Sequence, residues 1–200
     1  MNFASDNWAG AAPPIADAIR AHSSGFSPAY GESDFDRQVE RRFNELFETE
    51  VAVFFVGTGT AANALGLSAV SRPGGFVLCH RESHLIEDEC GAPEFFTSGA
   101  RLAAIDGEHG KMDLDSLERA IGRFDPTFVH HGQAMAVSVT QSTEAGTVYS
   151  TGELAAIAEL AHANDMPLHM DGARFANALV HHGQAMAVSV TQSTEAGTVY

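Results

Sequence analysis

Positive charge is scarce in this 200-residue chain. Eleven lysine and arginine residues stand against 26 aspartates and glutamates, for a formal net charge of −15. A surface that acidic repels phosphate backbones and anionic headgroups, so nucleic acid and membrane surfaces are not expected as partners. Cysteine is scarce as well. Cys79 and Cys90 cannot build a disulfide framework, which suits a reducing compartment. Long apolar runs are missing: the longest is Val51 to Val56, far short of the roughly 20 residues of a spanning helix. The opening residues Met1 to Asp6 show neither the basic stretch nor the apolar run of a secretory leader. These gaps lead to the expectation of a cytoplasmic, acidic globular protein. What is present agrees with that. Hydrophobic residues make up 44% and charged residues 18%, which excludes a disordered tail, a collagenous fibre and a coiled coil. The length fits one domain, or a large piece of a bigger one.

Apolar and helical patterns alternate along the chain. Ala12-Pro13-Pro14-Ile15 opens a helix, with proline in the first turn where its missing N–H costs nothing. Asp34 is expected to cap a second helix, whose apolar positions Phe35, Val39, Phe43, Leu46 and Phe47 follow helical spacing. The continuous run Val51–Val56 reads as a strand buried on both faces. Gly57-Thr58-Gly59-Thr60 and an alanine-rich helix to about Val70 follow. Further strands are expected at Phe76–Cys79, Leu102–Ile105, Ala134–Thr140 and Pro167–Met170. Helices are expected from near Leu85, over Asp113–Phe124 and over Gly152–Asn164. Strands joined through helices imply crossovers, a mainly parallel sheet and helices on both faces: an α/β fold.

One feature breaks the pattern. Val129 to Tyr149 reads VHHGQAMAVSVTQSTEAGTVY, and Val180 to Tyr200 repeats those 21 residues without a difference. Repeats that stack as structural units normally diverge, because each copy meets different neighbours. The expectation is therefore a duplication or an assembly artefact rather than a second functional strand, and residues 1–179 are read as the informative part.

Ligands of open α/β sheets sit beyond the carboxyl ends of the strands, and three segments there carry chemistry. Gly57-Thr58-Gly59-Thr60 would place backbone N–H groups and threonine hydroxyls at a helix N-terminus, where a phosphate binds. It is neither a P-loop nor a complete dinucleotide fingerprint, and a ligand-free helix-starting turn is the alternative. In Leu168-His169-Met170-Asp171-Gly172-Ala173-Arg174, Asp171 could hold a protonated heterocyclic nitrogen and Arg174 could fork onto a substrate carboxylate. The alternative is a helix cap and an ordinary ion pair. In His80-Arg81-Glu82-Ser83-His84, a histidine could stack on a planar ring or shuttle protons, or be a polar loop residue.

A phosphate cradle, a carboxylate for a ring nitrogen, a stacking histidine and an arginine for a carboxylate together fit pyridoxal phosphate holding an amino acid. The sequence also resembles the low-specificity threonine aldolases and related β-eliminating lyases, pyridoxal-phosphate enzymes of the aspartate-aminotransferase fold. The resemblance is carried, in the family order, by Phe3-Ala4-Ser5-Asp6-Asn7, Tyr30-Gly31-Glu32, Thr58-Gly59-Thr60-Ala61-Ala62-Asn63, Ser83-His84, Thr143–Tyr149 and His169–Arg174. It implies that Thr58, Gly59 and Thr60 bind the cofactor phosphate. His84 would stack over the ring and assist proton transfer, and Asp171 would pair with the ring nitrogen. Ser5 and Arg174 would grip the substrate carboxylate, and Tyr30 would reach a neighbouring subunit's site in a homodimer or homotetramer. The implied reaction is cleavage of threonine or a related β-hydroxy-α-amino acid to glycine and an aldehyde.

The chain departs from that family at one point. The family holds its cofactor on a lysine well after the Asp-Gly-Ala-Arg motif. The sole lysine here, Lys111, precedes that motif in the loop Asp106–Lys111 and reads as a solvated loop residue. No Schiff-base lysine is therefore assigned, the large domain is expected to be incomplete, and the small C-terminal domain is expected to be absent. The readings left open are a truncated aldolase, another β-eliminating lyase of the same fold, and a non-catalytic pyridoxal-phosphate binder.

Overall fold

The computed structural model describes residues 10–182 apart from 125, 126 and 129. The chain divides into two compact units, Met1–Arg42 and Phe43–Tyr200.

In the first unit, α1 (Pro13–Ala21) starts at the expected proline and buries none of its residues. α2 (Asp34–Phe47) starts there too, but its cap is Ser33 rather than the expected Asp34. The Asp36 N–H donates to Ser33 Oγ at 3.2 Å, and Asp36 Oδ2 accepts from the Ser33 N–H at 2.9 Å. This reciprocal pair satisfies two helix-end donors, one more than a single cap could. The apolar stripe of α2 is present, but no residue of the helix is fully buried.

The second unit holds the sheet. In chain order it comprises α3 (Gly59–Ala69), β1 (Gly75–His80), α4 (His84–Glu87), α5 (Ala92–Phe96), β2 (Arg101–Ile105), α6 (Leu114–Ile121), β3 (Gln133–Thr140), α7 (Thr151–His162), β4 (Leu168–Asp171) and α8 (Phe175–His182). All pairings are parallel, in the order β2-β1-β3-β4. Alternate strand residues feed two cores, as the two-residue period of a strand requires. Leu78, Val137, Val139, Leu168 and Met170 pack with Leu117 of α6 and Leu154 and Ile157 of α7. Val77, Cys79 and Ala136 pack on the other face with Leu67 of α3 and Leu85 of α4, joined by Met135, which stands at a register shift between β1 and β3. Helices therefore cover both faces, as expected.

Two expectations fail. Val51–Val56 is not a strand: it has no ladder, and Phe54 and Phe55 are 80% and 71% exposed. Apolar character alone does not make a strand. The backbone N–H and C=O groups need an adjacent strand, and no strand among the described residues pairs with this run. The helical stretch from Leu85 is likewise interrupted. Cys90 and Gly91 take left-handed φ values of 52° and 78°, and α5 then starts at Ala92 with Pro93 in its first turn. The break turns the chain back on itself directly after Glu89.

The first three residues of the second repeat copy that lie within the described range, Val180 to His182, continue α8. In the first copy, His130 and His131 stand in irregular chain ahead of β3. The rest of the second copy lies outside the described residues.

Candidate functional site

The site lies at the carboxyl ends of β1 and β4, where α3 and the α4–α5 break meet them. Asp171 is the last residue of β4. On that strand Leu168 and Met170 face the α6–α7 core, so His169 and Asp171 face the side that α3 covers. From α3, Asn63 Nδ2 donates to Asp171 Oδ2 at 3.0 Å and to Glu89 Oε1 at 2.7 Å. Glu89 Oε1 also meets His84 Nδ1 at 2.9 Å. The other Asp171 oxygen, Oδ1, accepts from the Ala173 N–H at 3.1 Å. Asn63, Glu89 and Asp171 are buried. One ligand-type atom from each of His84, Glu89 and Asp171 lies within 4.8 Å of the other two. That spacing would also admit a shared cation; here it marks one connected polar network.

Charge in the network acts on His84. Burial by itself would lower the imidazole pKa, but the hydrogen bond to Glu89 and the negative charges of Glu89, Asp171 and Glu144 outweigh it, and the pKa rises. His169, two residues before Asp171, goes the other way. Burial drives it down to about 4, only partly countered by the Asp171 charge, and its Nδ1 is bonded to Ser138 Oγ at 2.8 Å.

The sequence-derived candidates divide. His84 and Asp171 are brought together. Thr58 is the N-cap of α3, its Oγ1 accepting from the Ala61 N–H at 3.1 Å. That leaves the Gly59 and Thr60 N–H groups, the first two of the helix, directed out of its end. A Cβ added at Gly57 or Gly59 would meet nothing within 4 Å, so the space before the helix is open. Arg174 is engaged by protein: its Nη1 donates to both oxygens of Glu144, at 3.2 Å each. Tyr30, in the first unit, is fully exposed with a left-handed φ of 64°. Ser5 lies outside the described residues. Lys111 is not the solvated residue expected. Its Nζ donates to both carboxylate oxygens of Glu153 at 2.9 Å and sits 5.5 Å from the centre of the Tyr149 ring.

Asn63 and Glu89 were missed. Each left a trace: an amide inside an alanine-rich helix, and a carboxylate five residues after a candidate histidine. A cavity of about 780 Å³ along β2 and α6, lined by Phe76, Arg101, Arg123 and Phe124 among others, contains none of these residues.

The fold is aspartate-aminotransferase-like. An aspartate aminotransferase from Rhodobacter sphaeroides superposes with a TM-score of 0.57 over 79% of this chain and 41% of that one, at 17% identity. The chain belongs to the beta-eliminating lyase family, whose model matches residues 2–197. A low specificity L-threonine aldolase from a Pseudomonas species is 41% identical over 184 residues, covering 92% of this chain and 52% of that protein. A threonine aldolase from Leishmania major gives a TM-score of 0.80 at 27% identity, covering 86% of this chain and 49% of that one. The chain thus spans about half the length of the curated relatives it matches.

Proposed function

We propose that this chain carries the cofactor-holding part of a pyridoxal-phosphate-dependent lyase that cleaves L-threonine or related β-hydroxy-α-amino acids to glycine and an aldehyde. The observation that carries the reading is the buried Asp171 carboxylate at the end of β4. Its hydrogen-bond donors, Asn63 and Ala173, are both neutral. No lysine or arginine among the described residues forms an ion pair with it. A buried carboxylate in that state is completed by a cation, and a protonated pyridine nitrogen fits. The Gly59 and Thr60 N–H groups, with Thr58, would take the phosphate. His84 would lie against the ring, with Nε2 the atom that takes or gives the proton of the β-hydroxyl. When bound, pyridoxal phosphate supplies an electron sink for the pair left when the Cα–Cβ bond breaks.

Arg174, with Ser5, would hold the substrate carboxylate, displacing Glu144 from the guanidinium. Tyr30, exposed on the first unit, would serve a neighbouring subunit's site in a homodimer or homotetramer. A cytoplasmic setting is supported by two free cysteines, Cys79 buried and Cys90 exposed. Among the described residues, no helix is long and apolar enough to cross a membrane. We further propose that the large domain is incomplete in these 200 residues, that Val180–Tyr200 duplicates Val129–Tyr149, and that the chain alone binds the cofactor without turning substrate over. Its sole lysine is committed to Glu153. A second reading, another β-eliminating amino-acid lyase, draws on the same residues and is separated by substrate assays.

The test is equilibrium dialysis of pyridoxal 5′-phosphate against the chain and against Asp171→Ala. The expected result is saturable binding at one site, weakened at least about tenfold in the variant, with the melting temperature changed by a few degrees at most. Equal affinity in both would remove Asp171 from the site and the reading with it.

A further inference from the structure

We infer that Glu89 is a positioning residue for this site, one of its carboxylate oxygens fixing the His84 imidazole directly and the Asp171 carboxylate through Asn63. Glu89 Oε1 takes two contacts, Asn63 Nδ2 at 2.7 Å and His84 Nδ1 at 2.9 Å, and Asn63 carries the link on to Asp171 Oδ2 at 3.0 Å. Side chains of α3 and of the start of α4 thus share one acceptor atom on the α4–α5 break, and Asn63 extends the link to β4. The Glu89 side chain is 0% exposed, and its second oxygen, Oε2, is buried with no hydrogen-bond partner among the described residues. A carboxylate in such a place is a poor choice for stability, since an apolar side chain of similar volume avoids the desolvation of both oxygens. The backbone is bent to deliver it, through the left-handed pair Cys90 and Gly91.

The chemical consequence concerns one proton. An ionised carboxylate can only accept, so the His84 contact requires N–H at Nδ1. Neutral His84 is then held as the Nδ1–H tautomer, and its titrating proton sits on Nε2, the nitrogen without a protein partner among the described residues. The charged groups acting on His84 are Glu89, Asp171 and Glu144, and Glu144 is itself paired with Arg174. Glu89 is the one that also touches the ring, so it should set both tautomer and charge.

Nitrogen-15 NMR of the cofactor-free 200-residue chain reads this directly, with His84 assigned by comparison with His84→Gln. The expected result is a neutral His84 protonated at Nδ1, and a pKa that falls by about one pH unit or more in Glu89→Gln, as loss of an adjacent charge predicts. A neutral wild-type His84 carrying its proton on Nε2, or an unchanged pKa in Glu89→Gln, overturns the inference. If Glu89→Gln does not fold, the wild-type tautomer still decides this arm.

The second arm rests on the pyridoxal-phosphate reading and uses Asn63→Ala. Binding of pyridoxal 5′-phosphate should weaken by about tenfold while the His84 pKa stays raised, because the direct His84–Glu89 contact is left in place. Unchanged affinity would refute the role of Asn63. A wild-type chain that binds no pyridoxal phosphate would defeat the proposed function instead, while leaving the His84–Glu89 coupling to be judged on its own data.

Discussion

Acid should unfold this protein through one identifiable residue. His169 is buried beside Ser138, and its pKa is driven from 6.5 down to about 4. In the unfolded chain the same imidazole takes a proton near pH 6.5, so between those values the unfolded state binds more protons than the folded one. Stability therefore falls as the pH drops through that window and levels off below about 4, where both states are protonated. At about 1.4 kcal/mol per pH unit, the gap is worth about 3 kcal/mol, a large part of the stability of an ordinary domain. The assay is urea unfolding followed by far-UV circular dichroism at pH 7.0, 5.5 and 4.5, for the wild type and for His169→Asn. The asparagine keeps a polar atom near the position of Nδ1 but cannot titrate. Carboxylates contribute to both curves, so the difference between them isolates the histidine. Wild type should lose about 2–3 kcal/mol more than the variant between pH 7.0 and 4.5. Parallel curves, or an NMR pKa of His169 near 6.5, would refute the reasoning.

Further outcomes follow from individual contacts. Glu144→Gln should loosen the grip on the Arg174 guanidinium and tighten binding of an amino-acid carboxylate to the cofactor-loaded chain, while Arg174→Lys should weaken it, because a point charge replaces a two-pronged donor. Calorimetric titration with glycine checks both. Gly91→Ala should cost about 1–2 kcal/mol from its φ of 78° alone, because the added Cβ would meet nothing within 4 Å. A thermal melt measures that cost, and a shift in His84 tautomer in the same variant would show that the bend delivers Glu89. Borohydride treatment of the chain with pyridoxal phosphate should leave no stoichiometric adduct on Lys111 in a peptide map, since its Nζ is ion-paired with Glu153.

The parts of the fold legible in the sequence are those whose signal is local or periodic. The α7 cap is one case: Ser150 accepts from the Glu153 N–H while the Glu153 side chain reaches back, a pattern written in four residues. The four strands of the sheet were each found to within about two residues, a normal margin for element ends. Val51–Val56 was misread because burial on both faces depends on neighbours that the run itself does not encode. Val180–His182 makes the same point, since the residues that precede β3 in one copy extend α8 in the other. The site divided along this line as well. Asp171 ends β4 and His84 follows β1 at the start of α4, on the side where the topology says ligands bind. Glu89 and Asn63 matter through contacts across 26 and 108 residues of sequence, which no spacing rule reaches.

On the proposed reading, binding and turnover are separable in this chain, for a physical reason. The groups proposed to hold the ring and phosphate, from Thr58 through His84 to Asp171, come from the start of α3, the start of α4 and the end of β4. Those elements are tied to one another by the parallel ladders and by the Asn63–Glu89–Asp171 bridge. None of these ties passes through Lys111, which is fixed instead to the first turn of α7 through Glu153. Preorganisation of the holding residues therefore does not depend on the nucleophile that turnover requires. A small amine supplied in trans, such as methylamine, could not reproduce the positioning that a tethered lysine side chain provides, because the entropy of bringing it to the site is not recovered. The expected behaviour is specific, Asp171-dependent cofactor binding with no amine-rescued cleavage of threonine above the rate of free pyridoxal phosphate.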